Sequence, residues 1–454
     1  MLIGKKRWLC FRQYAVRVQF LHGPCRGIPP SVQFNVITAL AQFPEASLPL
    51  LPNLTEIVWD GSKPSTKVDM TVPLVEFFAG PRVTSLSLFL NDWPQSAAVR
   101  AVLFGLPNTF PNVTSFTFTI QWACLQPDTT TCYIVDVARR WPHLQALQIS
   151  PCYRPIMTQL VSKLALTTLS ITLDPFNTLW YDCKLPDSIH TFSLTICMHS
   201  NGERDLQFLG TLQGSPTRFH LRILKVCNLL RTLPTRLDNT QLRILTIELT
   251  RPIDYSPSSL LTESLAESLY AFSALRVLDL SSFSTLNLND AAYARMATMW
   301  PELTSLKVGM TDMCKGKPAA SVGAVIAVLR FCPHLQTLHI MFNGSIPPPP
   351  LVAVEEEENV DARGEDKKEG KAGASQVNGW GISNQHITQI HVGYSPFCEG
   401  IDSLKDLASC LKSVMPWLEI IRSKTDVAKW SMVQNLLVGH GVPSLRGQPT
   451  RRLS

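Results

Sequence analysis

The dominant pattern along the chain is a short apolar phrase: an apolar residue, two variable ones, a second apolar residue, one variable, and a third apolar residue. It occurs at Leu54-Ile57-Trp59, Val83-Leu86-Leu88, Val113-Phe116-Phe118, Leu144-Leu147-Ile149, Leu166-Leu169-Ile171 and Ile189-Phe192-Leu194. It continues at Leu221-Leu224-Val226, Leu242-Leu245-Ile247, Leu275-Leu278-Leu280, Leu303-Leu306-Val308, Leu335-Leu338-Ile340 and Ile387-Ile390-Val392, with a degenerate copy at Leu418 and Ile421. Successive phrases begin 21 to 33 residues apart, except for one step of 52. The closing apolar-x-apolar part alternates with period two, so its apolar residues share one face of a strand. A strand this short cannot bury that face alone, but copies stacked in parallel share one core.

The stretches between phrases predict the covering layer. Residues 259–272, 289–300, 319–331 and 402–415 carry apolar residues at helical spacing, with Asn289 and Asp402 placed as N-caps. Proline then marks the return to the strand at Trp141-Pro142, Trp300-Pro301, Cys332-Pro333 and Met415-Pro416. The residue before proline is pushed out of helical geometry, so each proline ends one helix and launches the next strand. The fold class is therefore α/β: a leucine-rich-repeat solenoid, horseshoe-like, with a parallel concave sheet and convex helices. No regular Asn or Cys follows the third apolar position, so no asparagine ladder is expected.

Residues 1–30 read as an N-terminal edge segment, with Val16, Val18 and Phe20 alternating. Repeats occupy 31–344, opening with a helix over 31–43. Residues 345–384 read as an acidic, disordered insertion, 385–423 as the last repeats, and 424–454 as a capping helix (425–437) and a basic tail.

Composition narrows the function. Of 454 residues, 45% are hydrophobic and 17% charged, enough apolar material for a large core. The net charge is +6, and residues 355–371 hold eight acids and four bases, so the remainder is mildly basic. That excess is spread without a dense Lys/Arg block, which argues against nucleic acid as partner. The twelve cysteines include no CxxC pair and are irregularly spaced. They read as buried thiols of a reducing compartment, cytoplasmic or nuclear. No apolar run is long enough for a membrane span, and no signal peptide opens the chain.

Catalytic signatures are missing. The nearest approach to a phosphate-binding loop, from Gly364, has one residue too many and Ala372 where Ser or Thr is needed. No GxSxG, HExxH or EF-hand pattern occurs. His143 and His334 occupy the same turn position in two distant repeats, so they cannot share a metal. The chain is read as no enzyme, with no catalytic residues, no metal and no cofactor. Function then falls to the variable residue between the last two apolar positions of each phrase, which points to the concave face. That row reads Ser87, Thr117, Gln148, Ser170, Ser193, Lys225, Thr246, Asp279, Lys307, His339 and His391. Its charged later part, Lys225, Thr246, Asp279, Lys307, His339 and His391, is the candidate protein-binding strip.

Several phrases also resemble a known family. They are Phe11-Arg12-Gln13-Tyr14-Ala15 with the alternation after it, residues 47–60 (SLPLLPNLTEIVWD), and residues 75–86 (VEFFAGPRVTSL). Toward the end come Tyr394-Ser395-Pro396-Phe397, then Pro416-Trp417-Leu418, then Trp430. Together they resemble the fungal (basidiomycete) family of F-box proteins with degenerate leucine-rich repeats. The resemblance implies the substrate receptor of a Skp–cullin–F-box ubiquitin ligase, whose repeats hold a target protein and whose F-box docks a Skp-type adaptor. The L-P-x-E-type phrase that opens an F-box is not found: Leu185-Pro186 and Leu233-Pro234 lie inside repeats. The chain starts where the F-box would already have ended, so the adaptor is expected only with an F-box upstream. The alternative is a free-standing leucine-rich-repeat interaction protein.

Overall fold

The computed structural model describes residues 5–23, 30–42, 49–61, 72–90, 97–120, 127–152, 165–173, 183–196, 212–223, 229–249, 260–283, 285–309, 318–346, 381–397 and 401–439. They fall in two compact units, Met1–Leu242 and Arg243–Ser454.

In the first unit a helix, Lys5–Ala15, precedes β1 (Phe20–Gly23). The strands β2 (Glu56–Gly61), β3 (Ser85–Leu90), β4 (Ser115–Ile120), β5 (Ala146–Cys152) and β6 (Thr168–Leu173) follow. Then come β7 (Cys183–Lys184), β8 (Thr191–Ile196), β9 (Leu212–Gln213) and β10 (Arg218–Ile223). Strands β1 to β6, β8 and β10 pair in that order, all parallel. Helices Pro30–Ala41, Ala97–Thr109 and Pro127–Ala138 and a 3-10 turn, Val72–Phe78, occupy the return segments of the early repeats. Between β6 and β10 two described pieces of return chain are extended instead, as β7 and β9 pair with each other.

The second unit repeats the plan. Strands β11 (Ile244–Leu249), β12 (Leu260–Thr262), β13 (Val277–Leu280), β14 (Thr285–Asn287) and β15 (Ser305–Val308) lead to β16 (Thr337–His339), β17 (Gln389–Gly393) and β18 (Ile420–Ser423). Strands β11, β13, β15, β16, β17 and β18 pair in parallel, and β12 pairs separately with β14. Helices Asp290–Met299, Val322–Phe331, Ile401–Val414 and Val427–Val438 pack in series, each against the next.

Register explains the core. Ile57, Leu86, Phe116, Leu147, Leu169, Phe192 and Phe219 align across the first unit, and all are essentially inaccessible. Leu245, Leu278, Leu306, Leu338 and Ile390 do the same in the second, and Ile421, 8% exposed, ends the line. Each such side chain contributes roughly 1.5–3 kcal/mol on burial. The same register corrects one phrase. Leu221 pairs with Leu194, a third-position residue, so Leu221 closes its phrase and does not open it. The true copy is Pro216-Thr217-Arg218-Phe219-His220-Leu221, with Pro216 buried in the first position. Proline in the first apolar position conceals this copy in the sequence.

A polar ladder accompanies the apolar one. The threonine after the first apolar residue donates its hydroxyl to a backbone carbonyl of the preceding repeat. Thr55 reaches Gln19 (2.9 Å), Thr84 reaches Thr55 (3.4 Å), and Thr114 reaches Thr84 (3.3 Å). Thr167 reaches Gln145 (3.3 Å), Thr217 reaches His190 (3.0 Å), and in the second unit Thr304 reaches Arg276 (3.0 Å). These carbonyls also accept backbone N–H groups, as Thr55 O does from Thr84 N at 2.9 Å and Ser85 N at 3.1 Å. With no asparagine ladder after the third apolar position, threonine links the repeats at the opposite end of the phrase.

The helix expectations hold unevenly. Asn289 caps Asp290–Met299, accepting Ala292 N at 2.9 Å. Asp290 in turn grips the next helix: its carboxylate accepts Ser321 N at 2.6 Å and Ser321 Oγ at 2.5 Å, while Ser321 Oγ caps Gly323 N at 2.9 Å. The expected cap at Asp402 lies outside the described side chains; the helix there is Ile401–Val414. The helix read over 259–272 shrinks to Glu263–Glu267, since residues 260–262 are recruited by β14. At the N-terminus, Arg17 N and Val18 N bond back to Tyr14 O and Ala15 O, so Val16 and Val18 lie in a turn before β1. Most of the acidic insertion, 347–380, and the basic tail, 440–454, lie outside the described residues.

The Tyr394-Ser395-Pro396-Phe397 phrase closes the second unit. Ser395 is fully buried; its Oγ accepts Phe342 N at 2.9 Å and donates to Val392 O, and its carbonyl accepts Trp430 Nε1 at 3.2 Å. Ser395→Ala leaves the buried Phe342 N–H without its acceptor. We expect a loss of about 1–3 kcal/mol in denaturant unfolding, against about 0.5–1.5 kcal/mol for Thr304→Val, which loses one half-exposed hydrogen bond.

Candidate functional site

Alternation that buries one face of each strand leaves the other half-exposed. In the first unit the register aligns Val58, Ser87, Thr117, Gln148, Ser170, Ser193 and His220 on that face. His220 takes the place expected for Lys225, which lies outside the described residues. In the second unit the row is Thr246, Asp279, Lys307, His339 and His391, and β18 adds Arg422. The structure thus brings together five of the six expected strip residues. It adds Arg422, missed because the last phrase, Leu418-x-x-Ile421, is degenerate and was given no row position.

The row is electrostatically ordered. Lys307 Nζ lies 2.9 Å from Asp279 Oδ2, and Ser281 N donates to Asp279 Oδ1 at 3.1 Å. Burial acts to raise Asp279, but the hydrogen bonds from Ser281 and Lys307 outweigh it and hold the carboxyl below its ordinary value. The rings of His339 and His391 lie 3.9 Å apart between centroids, tilted by 34°. Gln389 Nε2 is 2.5 Å from His391 Nε2, which sets an amide donor against a ring nitrogen. Burial, then His391 and Lys307, push His339 from 6.5 down to about 4, against a smaller upward pull from Asp279. Burial, Arg422 and Lys307 also lower His391.

Beside this end of the row is a depression of about 380 Å³, lined by His391, Arg422, Ser423, Lys424, Trp430 and Ser431. Its floor is fixed by Trp430, 1% exposed and packed edge-on against Phe397 at 4.8 Å. Among the described residues no group of three or more His, Cys, Asp or Glu is placed to hold a metal, and no helix is long and apolar enough to cross a membrane. Cys332 and Cys410 are buried, with thiols pushed up to about 12 by burial; Cys10 departs from the buried-thiol expectation and is exposed. Trp141 and Trp300 of the Trp-Pro turns are core residues, Trp141 donating to Phe110 O at 2.8 Å.

This architecture, parallel strands in repeat register with a polar row on the half-exposed face, is that of an α/β leucine-rich-repeat solenoid. No family model matches the chain, and no curated protein gives a significant match. Solved structures similar to it include the leucine-rich-repeat protein LegL7 of Legionella pneumophila, 13% identical, covering 93% of this chain and 98% of that one, with a TM-score of 0.37. An internalin, inlF, of Listeria monocytogenes is 11% identical over 89% and 95% of the two chains, TM-score 0.36. The complex of Rad7 and Elc1 in yeast gives 15% identity over 74% and 88%, TM-score 0.35. Likeness at this level carries no functional information.

The histidine pair makes acid stability a test of the site. In the window from about 6.5 to about 4 the unfolded chain takes up a proton that folded His339 resists, so stability is full at neutral pH and lost as pH falls. We expect the thermal midpoint to drop between pH 7 and 5, and His339→Gln to flatten that slope. An equal slope in the variant would remove His339 as its source.

Proposed function

We propose that the chain is a protein-binding repeat scaffold whose docking surface is the half-exposed row of the second unit. The observation that carries this reading is the row itself. Asp279, Lys307, His339, His391 and Arg422 stand in consecutive register on a rigid sheet face. An ordered line of charged and ionisable groups on a half-exposed face is the kind of surface that selects a partner by electrostatic complementarity. An open strip several strands wide suits a protein segment better than an enclosed small molecule.

The finer reading is the target-recognition part of an F-box-type ubiquitin ligase, supported by the ordered series of phrases that resembles the fungal F-box repeat family. Free-standing scaffold is the other outcome. The two are separated by expressing the protein from its whole transcript and asking whether a Skp-type adaptor co-purifies. Co-purification supports the ligase reading, and its failure leaves the scaffold alone.

For the docking face, Thr246, Asp279, Lys307, His339 and His391 are replaced together by alanine or serine. Proteins retained by the wild-type chain are then compared with those retained by a variant of unchanged unfolding midpoint. We expect the row variant to lose its specific partners, and an unchanged set would overturn the docking face.

A further inference from the structure

Resting on the reading of the row as a docking strip, we propose that Lys307, His339, His391 and Arg422 hold an extended partner segment rich in aspartate or glutamate, and hold it more tightly as the pH falls. The geometry sets the class of ligand. These four residues occupy one register position on four adjacent strands. With strands about 4.8 Å apart, they span about 14 Å. Positive and ionisable groups spaced along a line match a run of carboxylates, whereas a single phosphate needs donors converging on one point. The depression at the Arg422 end, with Ser423, Ser431 and the Trp430 floor, has room to seat one terminal side chain of the segment.

The pH dependence follows from what surrounds the two rings. His339 faces Asp279, Lys307, His391 and Arg422; His391 faces Lys307, Arg422 and Gln389, with Lys424 beside it in the depression. Rings 3.9 Å apart and flanked by cations resist a second positive charge. Asp279 offers little relief, since it already accepts from Lys307 at 2.9 Å. A carboxylate laid across the pair supplies the missing negative charge, so bound segment and bound proton favour one another. Affinity therefore rises with acidity until the partner's own carboxylates begin to protonate, at about 4. Asp279 competes for Lys307, which makes it a brake on the same site.

The test uses the full chain and a fluorescein-labelled twelve-residue peptide of alternating Glu and Ser, read by polarisation at pH 7.5, 6.5 and 5.5. Controls are the same peptide with Gln for Glu and a peptide with a single phosphoserine, with circular dichroism at each pH. The Glu peptide should bind and the Gln peptide should not, with affinity rising about tenfold between pH 7.5 and 5.5, an average uptake of about half a proton per bound segment over that range. His339→Gln with His391→Gln should abolish that rise. Arg422→Ala should weaken binding about tenfold throughout, and Asp279→Asn should tighten it at pH 7.5. Equal binding of the Gln peptide, a pH-independent wild-type affinity, or binding of the phosphoserine peptide alone would overturn the proposal, and none of these needs a variant to fold. If the Glu peptide fails while the row variant still loses its partners, the acidic chemistry is wrong and the docking face stands. If the row variant keeps its partners, the docking face itself is wrong.

Discussion

Parallel pairing in strict register is the constraint on which each unit rests. Because side chains alternate across a strand, a slip of one residue would turn every buried Leu, Ile and Phe outward and bring the polar row inside. The two ladders prevent that together. Apolar residues from neighbouring strands meet only in one register, and the threonine hydroxyls reach the preceding repeat's carbonyls only in that same register. A single hydroxyl bond of this kind is worth about 1 kcal/mol. Its weight comes from repetition, at six strand entrances among the described residues.

The return segments are less uniform than the strands, and the reason is physical. A strand must meet two neighbours, whereas a return segment need only cover apolar side chains and satisfy its own backbone. Helix does this in residues 290–299 and 322–331, where Asn289 and Ser321 cap the first turns and Asp290 ties one helix to the next. Short extended pairs do it at β7–β9 and β12–β14. The last described helix, Val427–Val438, is tied to the second unit through Trp430, which donates to the carbonyl of the buried Ser395, whose hydroxyl in turn accepts Phe342 N.

The same register that builds the core composes the surface. Placing one residue per repeat on a shared line turns a scattered set of charges into an ordered array: acid, base, two imidazoles, then a guanidinium. Burial first, then the cationic neighbours, lower both imidazoles, and for His339 the adjacent His391 ring adds to the effect. The strip therefore carries latent positive charge, released by acid or by an anionic neighbour.

The sequence by itself determined the repeat, the strand positions of nearly all phrases and the identity of most row residues, because period-two alternation is local and survives without knowledge of neighbours. It failed at Pro216-Thr217-Arg218-Phe219, where the apolar signal was weakest and only pairing with β8 settles the register. It failed likewise over residues 259–272, where helical spacing was overridden by β14. Tertiary structure alone decided which residues became neighbours: that His339 meets His391 across an intervening stretch of chain, that Arg422 extends their line, and that Asp279 engages Lys307. Those contacts depend on the order in which strands stack, a property of distances between repeats that no single repeat contains.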